Sequence, residues 1–362
     1  MDKALRLVVT AIGSMALVMC WALLADYYPF DEGLSLATAW LGLSGESAFL
    51  APTWGAIVRL VSDKGACGLG VISVLTGTIA CALFTYLAGR LLVSASEQAE
   101  ERANEDELSY EPVAIRGALF AGIAFLLTPG FLSAATRLSP LMVQLALAFG
   151  ALSLAVMSRR DIGARFVCSF FAGALAALGA LEGMPGMMAL PLIAVMLTRP
   201  SEARSEGVVP HLGLFVLGAA SGLFFALGDG GWTERCYRLA RYYRGQFPSG
   251  LLFPGLAAFL AVGVTPLLVL WQLCRTGRMA TREMRRAYFG GWATVIFCMG
   301  IMTLCNLSNN DESIVDDYVT ECLKSAEGRR WIISDGAFDD LILLKAPKGT
   351  RLVTLRREHD PE

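Results

Sequence analysis

The sequence predicts an all-α polytopic membrane protein of about nine transmembrane helices, with a small α/β tail at its C-terminus. Three observations carry this. The 362 residues are 55% hydrophobic and 17% charged, too few charges to cover a soluble surface of this size. The apolar residues gather in long blocks, and the mean hydropathy is +0.54. The basic residues are spread unevenly between alternate loops, as the positive-inside rule requires. With a formal net charge of -2 and no basic domain, the chain does not suit nucleic-acid binding. His211 and His359 are the two histidines, which argues against multi-His metal catalysis.

The first apolar block covers residues 4–24 and follows Lys3 and Arg6. Leu23-Leu24-Ala25 is a poor signal-peptide cleavage site and Val18-Met19-Cys20 a poor lipobox, so the block reads as a retained helix. Later blocks run over 69–93, 113–132, 141–157, 166–181, 184–197, 212–227, 252–273 and 288–306. Several fall short of the ~20 residues a perpendicular span needs. The pair flanking Glu182-Gly183-Met184-Pro185 reads either as two short spans or as a re-entrant hairpin.

With nine crossings and a cytoplasmic N-terminus, fifteen Lys/Arg lie inside and seven in outer loops, leaving eight in the tail. The inner anchors are Arg159-Arg160 and the basic run from Arg275 to Arg286. The chain then divides into a transmembrane domain, 1–307, with outer loops 26–66 and 228–251, and an extracytoplasmic tail, 308–362. The membrane is the inner (plasma) membrane. Residues 34–43 suit a helix lying on the membrane surface, and 97–111 a solvated acidic run.

In the tail, 312–326 has helical spacing, with Ile314, Val315, Tyr318, Val319, Cys322 and Leu323 on one side. A strand over 331–334, a helix over 338–344 and a strand over 351–355 complete a small α/β piece. About fifty residues are marginal as an independent domain. The piece therefore docks on the membrane part or on a partner.

The nine cysteines show no CxxC spacing and sit mostly inside apolar blocks, as small lipid- or helix-facing residues. Cys236 and Cys322 fall in polar segments, but an odd count without pattern gives a disulfide little support. His211, after Pro210, suits the start of an inner-side helix. Gly230-Gly231 and Gly290-Gly291 suit turns or helix packing.

Three constellations could carry chemistry. Asp26-Tyr27-Tyr28-Pro29-Phe30-Asp31-Glu32-Gly33 sets three carboxylates just beyond the first helix. One of them could serve as a general base, or Asp31 could cap a helix starting near Gly33. Arg235, Arg238, Arg241 and Arg244 recur every three residues among aromatics, forming a drifting helical stripe in the outer interface. Guanidinium groups grip phosphate bidentately, and such a stripe equally anchors to anionic headgroups. Thr128-Pro129-Gly130-Phe131 breaks a helix before a short outer turn carrying Arg137, suited to a phosphate, an outer carboxylate or the interface itself. Phosphate-loop, GxSxG, HExxH and Rossmann signatures are missing from the sequence.

One helix, a long outer loop opening with acids, a Pro-containing surface segment and many short helices together resemble the GT-C superfamily. These are multi-pass glycosyltransferases that use polyprenyl-phosphate sugars. The nearest likeness is to bacterial membrane proteins related to protein O-mannosyltransferases, a family of unknown function. The similar elements are Asp31-Glu32-Gly33-Leu34, Ala39-Trp40-Leu41-Gly42-Leu43, Pro52-Thr53-Trp54, the block ending at Arg90, and Thr128 through Arg137. They cover the first 160 residues. Where the family usually has a His-Pro-Pro-Gly-type turn, this chain has Phe49-Leu50-Ala51-Pro52-Thr53-Trp54.

The resemblance implies Asp31, with Glu32 second, as the base activating an acceptor hydroxyl. It implies Arg137 and the stripe Arg235, Arg238, Arg241 and Arg244 as the donor-phosphate site. It implies no particular cofactor firmly and leaves a divalent metal open. The implied partners are a lipid-linked sugar donor, membrane lipids and a protein or glycan acceptor. The expected function is extracytoplasmic sugar transfer. The alternative, favoured by the missing histidine turn, is a non-catalytic scaffold or subunit of a cell-envelope glycan pathway. A transporter is disfavoured by the absence of an inverted repeat.

Overall fold

The computed structural model describes residues 2–25, 37, 66–100, 111–158, 165–182, 185–186, 188–190, 192–193, 209–227, 259–276, 282–309, 313–334, 338–347 and 350–354. The helices are α1 (Asp2–Ala22), α2 (Ala66–Glu100), α3 (Glu111–Leu126), α4 (Pro129–Ala135), α5 (Pro140–Met157), α6 (Arg165–Glu182) and α7 (Val209–Leu227). A π-helical segment, Phe259–Val264, then runs straight into α8 (Thr265–Arg275), and α9 is Arg282–Asn309. Beyond it come α10 (Ser313–Ser325), strand β1 (Trp331–Ser334), α11 (Asp339–Lys345) and strand β2 (Arg351–Thr354).

Among the described residues, four helices are long and apolar enough to cross a membrane: Lys3–Ala22, Gly68–Glu97, Pro140–Met157 and Arg282–Cys305. A fifth crossing arises if α3 and α4 are one span bent by 65°. Arg165–Ala180, Pro210–Phe224 and Leu260–Arg275 are shorter apolar helices. Burial is inverted in the manner of a membrane protein. Leu7, Val18, Phe224 and Phe297 are 66–71% exposed, an outward apolar surface that water would not tolerate over such an area. The inside is small instead. Ala114, Ala118 and Ala121 stripe α3, and Ala80 and Ala88 stripe α2, all buried, so that backbones approach closely.

Close approaches give the direction of each helix. Gly70 faces Leu24, Gly13 faces Ala82 and Gly89 faces Leu5, so α1 and α2 are antiparallel. Gly117 faces Leu92 and Gly122 faces Thr85, so α3 runs back against α2. Ser73 meets Ser139 and Gly77 meets Met142, setting α5 parallel to α2. Gly150 against Leu175 and Gly179 against Leu147 make α6 antiparallel to α5. Tyr288 and Trp292 on α9 bond the carbonyls of Pro266 and Val262, so α9 runs against α8.

The α6–α7 pair is different, because Gly173 lies against Phe215, Gly218 against Phe170 and Gly222 against Ala174. The two helices are parallel, and Gly218-x-x-x-Gly222 is the small-residue motif that lets their backbones touch. Two consecutive helices can be parallel only if the chain between them returns to the starting end. Of that return, Ala189 and Ile193 are buried with α5 and α6 residues, while Met188 and Leu192 are exposed, so one face of the described part packs on the bundle.

The main core joins α1, α2, α3, α4, α8 and α9 around Phe84, Phe125 and Phe131, with ring centroids 4.5–4.7 Å apart. The strands β1 and β2 pair in parallel, Trp331 with Arg351 through Ser334 with Thr354, with α11 as the crossover. Lys345 of α11 ion-pairs with Asp316 of α10 and donates to Thr320 Oγ1 at 2.8 Å. Val319, Leu341 and Leu344 are buried in one cluster with Leu69 and Ile72 of α2, Leu138 and Ala37. The polar tail is thus seated on one end of the helical bundle.

Candidate functional site

Polar chemistry among the described residues concentrates at the corner between α4 and α5, residues 136–139. Pro129 starts α4 after the break and Pro140 starts α5, each at a position where its missing N–H costs nothing. Thr136 Oγ1 donates to Leu132 O at 2.9 Å and ties the corner back to α4. Ser139 caps α5, accepting from Leu141 N at 3.3 Å, and its own N–H donates to Ser73 Oγ at 2.9 Å. Arg137 is half-buried between two buried neighbours, Thr136 and Leu138.

Two anchors bring the first loop to this corner. Ala25 N donates to Thr136 O at 2.9 Å just after α1 ends. Ala37 is fully buried in the cluster that holds Leu138. Ala25 and Ala37, the described residues on either side of 26–36, thus both lie at this end of the bundle. Asp31 and Glu32 lie in that loop, outside the described residues.

Arg235, Arg238, Arg241 and Arg244 also lie outside the described residues, as do Cys236 and Gly230-Gly231. Cys322 is exposed with a free thiol. Glu182 is the last residue of α6. Among the described residues, no three His, Cys, Asp or Glu side chains converge in a way that could hold a metal. Asp31 and Glu32 are not among those residues.

A second polar locus was not anticipated. His211, expected in the cap region of its helix, is the third residue of α7 and fully buried. Its Nδ1 lies 3.1 Å from Ser169 Oγ, and Phe166 stacks on the imidazole at 5.4 Å. A Ser–His contact has the geometry of a nucleophile with its base. Here both groups are sealed from solvent, so the pair serves as a polar pin between α6 and α7. The sequence signal for it was the polar Ser169 within an otherwise apolar block.

Gly290-Gly291 is neither a turn nor a packing contact. Both glycines sit inside α9, and a Cβ at either would meet nothing within 4 Å. No family model, no curated protein and no solved structure matches this chain.

Proposed function

We propose that the protein is a membrane glycosyltransferase that moves a sugar from a polyprenyl-phosphate donor to an acceptor hydroxyl. The reading has nine crossings, a cytoplasmic N-terminus and an extracytoplasmic α/β tail. The alternating helix directions and the parallel α6–α7 pair support that count. So does the seating of the tail beside Leu138, at the end where α1 finishes and α2 begins.

One observation carries the proposal: Ala25, before the stretch holding Asp31, bonds Thr136 beside Arg137, and Ala37, after it, is buried in the cluster that includes Leu138. In this reading Asp31, with Glu32 beside it, takes the proton of the acceptor hydroxyl. The acceptor oxygen forms a bond to the anomeric carbon, and the bond from that carbon to the phosphate oxygen breaks. Arg137 and the Arg235, Arg238, Arg241 and Arg244 stripe hold the negative charge that grows on the departing lipid phosphate. The tail roofs the corner and limits water. Sugar, carrier and acceptor follow from assay rather than from these residues.

The test uses purified full-length protein in vesicles with labelled polyprenyl-phosphate sugars. Asp31→Asn should lower transfer by roughly 10²–10⁴-fold, the usual share of a general base. Arg137→Ala and Arg241→Ala should each lower it by roughly 10²-fold. Undiminished transfer in Asp31→Asn and Arg241→Ala removes the mechanism.

One feature favours a second reading, a non-catalytic scaffold of an envelope glycan pathway. Trp331, Ile333 and Val353 leave one face of the β1–β2 pair exposed, although parallel strands are ordinarily covered on both faces. Capture of a pathway protein that requires residues 308–362 and is indifferent to Asp31→Asn would support that reading over catalysis.

A further inference from the structure

The π-helical segment and α8 do not lie flush against α9. Between them runs a laterally open apolar groove of about 300 Å³, lined by Pro266, Val269, Tyr288, Gly291, Trp292 and Val295 among others. That is the lower end of the volume range of small-molecule sites, enough for a length of hydrocarbon chain. Three polar side chains line the groove, Thr265, Tyr288 and Trp292. Tyr288 OH donates to Pro266 O, and Trp292 Nε1 donates to Val262 O at 2.9 Å. Apart from Thr265, what remains facing the groove is apolar. Gly291 keeps it open, since a side chain there would stand in empty space.

One end of the groove is basic. Arg285, Tyr288, Trp292 and Val295 follow one another at spacings of three and four, so they share a face of α9. The antiparallel register, Tyr288 against Pro266 and Trp292 against Val262, sets Arg285 abreast of Val269 and Arg282 abreast of Gln272, toward the C-terminal end of α8. Arg286 adds a third cation, against the single acid Glu283. Arg282 and Arg285 in the first turn of α9 oppose the helix dipole. They suit an inner-side anchor, and an anion at that end would complement them.

We propose that this groove binds an anionic glycerophospholipid, with its acyl chain along Val269 and Gly291 and its phosphate held by Arg282 and Arg285. Basic pockets between membrane helices select such headgroups, and the bidentate guanidinium fork suits a phosphodiester. The site is separate from the corner at Arg137 and independent of any transferase activity.

The experiment takes the full-length protein, delipidated in detergent, and titrates it with phosphatidylglycerol or phosphatidylcholine. Thermal unfolding and native mass spectrometry are the two readouts. Phosphatidylglycerol should raise the melting temperature above the phosphatidylcholine value and remain bound to the ionised protein. Arg285→Gln should weaken that binding roughly tenfold, as expected for one lost hydrogen bond to a charged group. Gly291→Leu fills the groove without displacing protein atoms and should abolish the difference between the two lipids. Gly290→Leu points into open space outside the lining and should leave it unchanged. Equal responses to the two lipids overturn the proposal. So does unaltered phosphatidylglycerol binding in Arg285→Gln and Gly291→Leu, or saturation by a polyprenyl phosphate alone. If Gly291→Leu fails to fold, Arg285→Gln decides.

Discussion

Single glycines decide whether α6 and α7 can pair. At Gly218 a Cβ would collide with the carbonyl of Phe170, and at Gly173 with that of Phe215; neither backbone can step aside. Gly213 sits in the same helix with open space around it. Gly218→Ala should therefore destabilise by about 1–3 kcal/mol through overpacking. Gly213→Ala should stabilise by about 0.5–1 kcal/mol by removing backbone entropy from a helix interior. Thermal unfolding of the two variants in one detergent checks the opposite signs, and equal shifts would mean the helices do not touch there. The sequence shows both glycines and even the four-residue spacing to Gly222. It does not show which face meets a partner, because in a lipid-facing helix hydropathy is alike all round. For the same reason Ser169 and His211 could not be matched across forty-two positions from pattern alone.

At the scale of elements, the α3–α4 break shows how a membrane helix survives a proline. Pro129 cannot donate, and the chain turns by 65°. Thr128 Oγ1 donates to Ala124 O at 2.8 Å, and Thr303 Oγ1, arriving from α9, shares its proton between Leu127 O and Met299 O at 2.9 Å each. Away from water such carbonyls need a partner. Thr303→Val keeps the shape and removes the donor, at a cost of about 1 kcal/mol. Thr294→Val loses only an exposed bond to Gly290 O within its own helix, and its melting temperature should stay close to that of the parent. Hydropathy located the elements well here. The 113–132 block covers α3 and most of α4, and Pro129-Gly130 announced the break. What it missed is physical context. The 252–273 block gave no hint of the π-helical segment, and the 69–93 block stopped short of α2, whose 35 residues extend about 52 Å at helical rise.

Across the whole molecule the parallel α6–α7 pair fixes a relation between loops. His211 lies beside Ser169 and Phe166, so α7 starts at the end where α6 starts. Reporter fusions at residues 160 and 204 should then report the same side of the membrane, and a fusion at 310 the opposite side. Opposite readings for 160 and 204 would contradict the parallel pair. Both readings around Glu182-Gly183, two short spans or a re-entrant hairpin, bring the chain back to the end where α6 starts, so the parallel pair agrees with either.

The seat of the tail follows the same logic of distant contacts. From sequence the segment after residue 307 is simply too small to stand alone, and docking on the bundle or on a partner are equal solutions. In the structure Leu138, in a turn more than 170 residues upstream, is buried with Val319, Leu341 and Leu344. Leu138→Ala should therefore act on the tail, with a cost of about 2–4 kcal/mol for a buried leucine. The tail's ion pair Lys345–Asp316 would stay intact, since neither partner touches the corner cluster. Limited proteolysis reads the difference: Lys324, Arg329 and Arg330 are exposed around the α10–β1 turn. Trypsin should cut there several-fold faster in Leu138→Ala than in the parent, because opening follows the lost docking free energy. Unchanged cutting, with the same α10–α11 unit still folded, would mean that the tail stands free of the bundle and that the corner at Arg137 has no roof.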